Sequence, residues 1–109
     1  MSLDLNKGDE VIVPNLTYVA PCNAVTYSGA KIVLVDVNPD TWLMDKETIL
    51  KHISKKTKAI LLVHLYGFTY DLDEINYLKK KFNIKIIEDC AEAIGTKFKK
   101  SYVGKIGDI

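Results

Sequence analysis

The chain has 109 residues, of which 48% are hydrophobic and 27% are charged. That length is enough for one domain with a single core but not for two. Fifteen basic against fourteen acidic residues give a formal net charge of +1, so neither a nucleic acid nor a membrane is expected as a partner. The apolar runs are far shorter than the roughly 20 residues of a membrane span, and the N-terminus has no signal-peptide pattern. We therefore expect a soluble, cytoplasmic protein.

The types of polar side chain narrow the chemistry further. All the basic residues are lysines, so no guanidinium group is present to hold a phosphate or carboxylate in a bidentate pair. Cys22 and Cys90 lie in different segments without metal-ligand spacing, which indicates reduced thiols and no metal site. The glycine-rich phosphate loop and the serine-hydrolase and zinc-protease motifs are not present in the sequence.

Four short runs rich in Val and Ile follow one another along the chain, and each is nearly continuously apolar. Runs of this kind are typical of strands that are covered on both faces of a parallel sheet. They predict strands over Glu10–Pro14, Lys31–Val35, Lys58–Leu65 and Ile84–Glu88.

Helices are predicted in the connections between these strands. Proline favours the first turn of a helix and glycine its end, which indicates a helix from Pro21 to Gly29. The surest helix runs from Asp71 to Phe82, because its apolar residues recur on one face and lysines lie near its C-terminal end. The remaining elements are predicted as a turn at Asn38-Pro39-Asp40, an extended segment Trp42–Met44, a helix near Lys46–Ile53 and a short strand within Thr96–Lys99.

The alternation of strands and helices predicts an α/β fold, a three-layer α/β/α structure with a mainly parallel sheet. Ligands of such sheets bind beyond the carboxyl ends of the strands. The loops in which chemistry is expected are Asn15–Ala20, Val37–Leu43, Tyr66–Tyr70 and Asp89–Gly95.

A few side chains in these loops are candidates for a site. Asp89, at the tip of the fourth strand, could bind a cationic ring nitrogen, coordinate a metal or cap the next segment. Tyr18 could offer an aromatic face to a planar ligand or serve in packing. His64 is interpreted as a hydrogen-bonded structural residue, and Asp36 as a cap.

Taken together, these residues resemble a known family. The chain is similar, in order and spacing, to the middle of the DegT/DnrJ/EryC1/StrS sugar aminotransferases. The motifs that carry the resemblance are Gly8-Asp9-Glu10-Val11-Ile12-Val13-Pro14, Leu16-Thr17-Tyr18, Asn23-Ala24-Val25, Val35-Asp36-Val37, Val63-His64-Leu65-Tyr66-Gly67, Ile87-Glu88-Asp89-Cys90-Ala91-Glu92-Ala93 and Gly107-Asp108-Ile109.

The resemblance implies the type I aspartate aminotransferase fold, with strand order 2-1-3-4, and the cofactor pyridoxal 5'-phosphate. Asp89 would then pair with the pyridine nitrogen of the cofactor, and Tyr18 would stack on its ring. Glu92 would lie near the cofactor's 3-oxygen, at a position where many relatives have Gln or His. Together with Ala93-Ile94-Gly95, Glu92 most resembles the GDP-perosamine synthase branch.

The activity implied is the transfer of an amino group from glutamate to a 4-keto nucleotide sugar, giving a perosamine-like amino sugar for surface polysaccharide, in a homodimer. Family members are several times longer, and their Schiff-base lysine lies downstream of Ile109. We therefore expect residues 1–109 to be part of the cofactor-binding large domain, a fragment that is inactive alone. The alternatives are a free-standing α/β binding module, or a family relative with a dehydratase or sensing role.

The last predicted strand, Ile84–Glu88, has no further strand of this chain beside it. An uncovered apolar edge of this kind pairs readily with another segment. We expect either a second copy or the residues after Thr96 to cover it.

Overall fold

The structure is a computed structural model that describes residues 3–109. Its main feature is a four-stranded sheet with helices in the connections. In chain order the elements are β1 (Glu10–Pro14), α1 (Val19–Tyr27), β2 (Lys31–Val35), α2 (Lys46–His52), β3 (Thr57–Val63), a 3-10 turn (Leu65–Gly67), α3 (Leu72–Phe82), β4 (Lys85–Asp89), β5 (Lys97–Phe98) and β6 (Ser101–Tyr102).

The sheet has the order β2-β1-β3-β4, and all its strands are parallel. The chain steps from β1 to β2 in one direction and from β2 to β3 in the other, so right-handed crossovers place α1 and α2 on opposite faces. Helix α3 lies beside α2, since Lys46 of α2 donates to Glu74 of α3 at 3.3 Å. The α/β class and the strand order 2-1-3-4 are confirmed.

The core lies between the two central strands and the pair α2 and α3. Ile12, Ile60 and Leu62 of the sheet are fully buried, as are Ile49 of α2 and Leu78 of α3. The edge strand β2 is less covered by other elements than its apolar sequence predicts. On β2, Leu34 is 52% exposed, so the expectation of two covered faces is wrong for this strand, whose outer side has no neighbour in the sheet.

The helix boundaries follow local capping chemistry. Helix α1 begins at Val19 and not at Pro21, which lies in the first turn, where a missing N–H breaks no helical hydrogen bond. Helix α3 begins after Asp71, whose Oδ1 accepts from the N–H groups of Asp73 and Glu74. The lysine-rich end of α3 stops at Asn83, which adopts a left-handed backbone.

The segment Trp42–Met44 is not extended, contrary to the prediction. Asn38 donates its N–H to Leu43 O at 2.9 Å, and its own carbonyl accepts from Trp42 N–H at 2.7 Å. Trp42 has a positive φ of 60°. A closed loop of this kind satisfies its own backbone groups, so it does not need a strand partner.

The C-terminal part forms a small hairpin that the sequence predicts only in part. Strand β5 (Lys97–Phe98) lies within the predicted Thr96–Lys99, but its antiparallel partner β6 (Ser101–Tyr102) was not predicted. Both strands have only two residues, too short to show an apolar alternation.

The free edge of β4 is covered by the end of the chain. Asp108 N–H donates to Ile86 O at 2.7 Å, and Ile109 O accepts from Glu88 N–H at 3.0 Å. The Asp108 carboxylate accepts from Ile86 N–H and pairs with Lys79 and with Lys85. Burial alone would raise the pKa of Asp108, but these contacts lower it to about 2. The expectation that residues after Thr96 cover this edge is confirmed.

Within residues 3–109, the structure contains no helix with the length and apolar character needed to cross a membrane. Cys22 and Cys90 are free thiols.

Candidate functional site

A cavity of about 360 Å³ lies at the carboxyl ends of the strands. Tyr18, Asp89 and Glu92, the three residues singled out in the sequence, all line it. The other lining residues are mainly small or apolar: Thr17, Val19, Ala20, Pro21, Val63, Leu65 and Ala91. The three residues come together because β1 and β4 end at the same edge of the sheet.

A larger cavity, of about 560 Å³, lies at the opposite end of β3 and β4. Its walls include Lys55, Lys58 and Asn83, and none of the predicted site residues. We therefore place the candidate site at the smaller cavity, where the strand tips bring chemistry-bearing side chains together.

Asp89 occupies the last position of β4 and has two distinct carboxylate oxygens. Its Oδ1 accepts from Ala91 N–H at 3.0 Å, which caps the following turn. Among residues 3–109, its Oδ2 has no hydrogen-bond partner. The capping interpretation is therefore correct for one oxygen. The second oxygen remains able to accept a hydrogen bond from a donor in the cavity.

Tyr18 lies just before α1 and forms one wall of the cavity. Its backbone is extended, and its side chain makes no capping hydrogen bond to the helix. The side chain is 70% exposed. An exposed ring that borders a cavity is able to cover the face of a planar ligand.

Glu92 holds the loop that follows β3. Its Oε2 accepts from Tyr66 N–H at 3.0 Å, and Tyr66 has a left-handed backbone with φ 51° and ψ 27°. Near the same place, Thr96 Oγ1 donates to Gly67 O at 3.3 Å. Glu92 thus fastens two loops at the cavity, and its expected position near a cofactor oxygen stays a prediction.

A buried hydrogen-bond network adjoins the site at the carboxyl ends of β3 and β4. The His64 and Glu88 side chains are fully buried, and His64 Nε2 lies 3.0 Å from Glu88 Oε2. Glu88 also accepts from the N–H groups of Gly104, Ile106 and Gly107 at 2.9, 2.8 and 2.6 Å. Burial alone would raise the pKa of Glu88, but these hydrogen bonds outweigh burial and lower it to about 2. This geometry agrees with a structural role for His64.

Potential ligand atoms of His64, Glu88 and Cys90 lie within 4.8 Å of one another. Both Glu88 oxygens already accept hydrogen bonds. Burial raises the pKa of the Cys90 thiol, and the carboxylates of Glu88 and Asp89 raise it further. Because a metal requires the thiolate, these contacts do not favour a metal, and His64 and Glu88 are better described as part of the hydrogen-bonded network.

Two residues of the site were not singled out in the sequence. Glu88 could have been identified from the sequence, because a charged residue in an apolar strand needs hydrogen-bond partners when it is buried. Neither the composition nor the periodicity of the sequence indicates the left-handed backbone of Tyr66.

The chain is similar to known proteins in sequence and in fold. The model of the DegT/DnrJ/EryC1/StrS aminotransferase family matches residues 1–109. The GDP-perosamine synthase of Escherichia coli O157:H7 is 50% identical over 109 residues, which are 100% of this chain and 30% of that protein. The dTDP-3-amino-3,6-dideoxy-alpha-D-galactopyranose transaminase of Aneurinibacillus thermoaerophilus is 46% identical over 105 residues, 96% of this chain and 29% of that protein.

Solved structures show the same arrangement. An aminotransferase from Psychrobacter cryohalolentis superposes with a TM-score of 0.94 at 42% identity, over 97% of this chain and 27% of that one. NtdA from Bacillus subtilis, solved with bound cofactor PMP, superposes with a TM-score of 0.82 at 42% identity, over 86% of this chain and 22% of that one. The chain thus spans about 30% of the length of the curated relatives that it matches.

Proposed function

The chain belongs to the DegT/DnrJ/EryC1/StrS aminotransferase family, and from that premise we propose that its strand-tip cavity binds pyridoxal 5'-phosphate in a sugar aminotransferase. Because the chain spans about 30% of its curated relatives, we propose that residues 1–109 are part of the cofactor-binding large domain. In this proposal the remaining parts of the site come from the rest of the whole protein.

The observation that carries the proposal is the pairing of Tyr18 with Asp89 at one cavity. Asp89 Oδ2 is able to accept from a protonated ring nitrogen, and the negative charge keeps that nitrogen protonated. The Tyr18 ring is able to cover one face of the cofactor. Apolar neighbours such as Val63 and Leu65 limit access of water to the carboxylate. When bound, the cofactor supplies an electron-withdrawing ring, the chemistry on which transamination depends.

Glu92 has a less direct part in this proposal. One of its oxygens accepts from Tyr66 N–H, and in this proposal the second oxygen faces the cofactor's 3-oxygen. Two anionic oxygens would repel each other there, so a proton must be shared between them.

We propose that the substrate is a 4-keto nucleotide sugar, with glutamate as amino donor and a perosamine-like sugar as product. The support is that its relatives include a GDP-perosamine synthase and a dTDP-amino-sugar transaminase. A homodimeric assembly and a cytoplasmic location belong to the same proposal. No contact in the structure favours the free-standing binding module or a dehydratase or sensing role.

The proposal is tested with Asp89→Asn in the whole protein. Loss of the carboxylate charge is expected to reduce transamination at least about 100-fold, because the ring nitrogen loses its charged partner. Tyr18→Ala is expected to weaken cofactor binding roughly 3- to 10-fold, the effect of one aromatic stacking contact.

Asp36→Asn provides the matched control, since Asp36 lies at the tip of β2, is exposed and does not line the cavity. Cofactor binding measured by fluorescence titration and activity measured with glutamate should be unchanged in this variant. Full activity in Asp89→Asn would overturn the proposed role of the cavity.

A further inference from the structure

A second, smaller cavity adjoins the proposed cofactor site. It has a volume of about 190 Å³ and is lined by Leu16, Thr17, Tyr18, Leu65 and Tyr66. It shares Thr17, Tyr18 and Leu65 with the cavity of about 360 Å³ at the proposed cofactor site, so the two cavities are contiguous. None of these five side chains carries a charge at neutral pH. The cavity of about 190 Å³ is therefore suited to an uncharged part of a ligand and not to a phosphate group.

Tyr66, on the wall of this cavity, belongs to a group of three exposed aromatic side chains, and we call Trp42, Tyr66 and Phe68 the aromatic platform. The Trp42 ring lies 6.0 Å from that of Tyr66, edge-on at 72°, and 6.4 Å from that of Phe68. The three side chains are 45%, 63% and 55% exposed. Contiguous exposed rings of this size mark binding surfaces more often than ordinary protein surface.

The backbone holds two of these rings in conformations that large side chains rarely adopt. Trp42 has φ 60° and Tyr66 has φ 51°. Trp42 N–H donates to Asn38 O at 2.7 Å, and Tyr66 N–H donates to Glu92 Oε2 at 3.0 Å. Strained positions held by surrounding contacts cluster at ligand-binding sites. The backbone that carries Trp42 and Tyr66 is thus held by hydrogen bonds within the chain.

We propose that the aromatic platform binds the nucleobase of the nucleotide-sugar substrate by stacking on Tyr66, whose ring Trp42 contacts edge-on. This inference rests on the proposed function and adds a subsite to it. A base presents a flat ring that stacks on aromatic side chains without a charged partner. The hydroxyl groups of a hexose would instead need hydrogen-bond partners, and the hydroxyls of Thr17, Tyr18 and Tyr66 are the few polar side-chain groups on these walls.

The first test compares Michaelis constants in the whole protein. Tyr66→Ala is expected to raise KM for the nucleotide sugar about tenfold, the effect of losing one stacking contact. Trp42→Ala, which removes the ring that contacts Tyr66 edge-on, should raise it by a smaller factor. Tyr66→Phe, which keeps the ring, should retain the KM of the unaltered protein. The control is Tyr27→Ala, because Tyr27 is exposed on α1 and lies outside the platform. An unchanged KM in both alanine variants would overturn the inference.

The second test identifies the part of the substrate that the platform holds. Competitive inhibition by GDP alone should weaken about tenfold in Tyr66→Ala, whereas inhibition by a hexose 1-phosphate should not change. The reverse pattern would place the sugar on the platform and overturn the assignment.

Equilibrium dialysis with GDP separates this inference from the proposed function. A protein that binds no pyridoxal phosphate but binds GDP in a Tyr66-dependent way would contradict the proposed function alone. Cofactor binding with GDP affinity that Tyr66→Ala leaves unchanged would contradict the platform alone.

Discussion

The two acids at the end of β4 are neighbours in sequence, yet they belong to opposite kinds of environment. Glu88 belongs to the floor of the site, which we define as His64, Glu88 and the backbone of residues 104–107. Its side chain is fully buried, and both its oxygens accept hydrogen bonds. Asp89 belongs to the mouth, which we define as Tyr18, Tyr66 and Asp89. There one carboxylate oxygen lacks a partner among residues 3–109, and the two rings are exposed.

This difference separates stability from function within one strand. In the floor, both carboxylate oxygens of Glu88 have hydrogen-bond partners, so changes there should cost folding free energy. The mouth has polar and aromatic groups that the described residues leave uncovered, so changes there should cost binding and leave folding almost intact. Alternation along a strand produces the contrast, because successive side chains point to opposite faces.

The largest effect is expected for Glu88→Ala. This variant leaves His64 and the three backbone N–H groups of the floor without their acceptor. The free energy of unfolding should fall by about 3 to 5 kcal/mol, because each buried donor left without an acceptor costs about 1 to 3 kcal/mol. Urea denaturation measures it, with exposed Glu47 of α2 changed to Ala as the matched control. A loss as small as that of Glu47→Ala would break the comparison.

Lowering the pH is expected to have the second-largest effect, a loss of folding stability at the floor. The pKa of Glu88 in the folded chain is about 2, below its ordinary value of 4.5. A lowered pKa in the folded state means that the stability is present above about pH 4.5 and is lost as the pH falls toward 2. The shift corresponds to about 3 kcal/mol. Thermal unfolding followed from pH 6 to pH 2 measures it, and Glu88→Gln should flatten the curve. An equally steep curve in that variant would assign the acid sensitivity to other groups.

A smaller effect is expected for Gly107→Ala. A Cβ at this position would lie 2.5 Å from Ile109 O and 3.3 Å from the Glu88 side chain. The backbone must shift to relieve that contact, which should cost about 1 to 3 kcal/mol. Circular dichroism melting curves measure the loss. If Gly107→Ala is as stable as the unaltered chain, residues 104–107 are not closely packed on Glu88.

The smallest effect on folding is expected at the mouth. Asp89→Asn keeps an oxygen that accepts from Ala91 N–H, so the free energy of unfolding should change by no more than about 0.5 kcal/mol. Urea denaturation of the same chain provides the value. A loss comparable to that of Glu88→Ala would show that Asp89 is a structural residue.

Most of the fold could be predicted from the sequence. The four apolar runs and the amphipathic Asp71–Phe82 segment carry strong sequence signals, and helix α3 follows the predicted bounds closely. Strand β6 of the hairpin and the closed loop at Trp42 could not be predicted, because two-residue strands and positive φ angles leave no period to detect.

The candidate site was predictable in its residues but not in its hydrogen bonding. Tyr18, Asp89 and Glu92 were found through their places at strand tips and through the family resemblance, and they do line one cavity. The bond from Tyr66 N–H to Glu92 joins residues far apart in sequence. Only tertiary structure reveals it, and so no local pattern signals the part that Tyr66 has in the site.

The most direct test of the central claim is a crystal structure of the whole protein with pyridoxal 5'-phosphate. We expect the ring nitrogen within hydrogen-bond distance of Asp89 Oδ2, at about 2.7 to 3.0 Å. We also expect the Tyr18 ring to lie against one face of the cofactor, with Glu88 still bound to the backbone of residues 104–107. A cofactor bound elsewhere, or a ring nitrogen that contacts no carboxylate, would contradict the account.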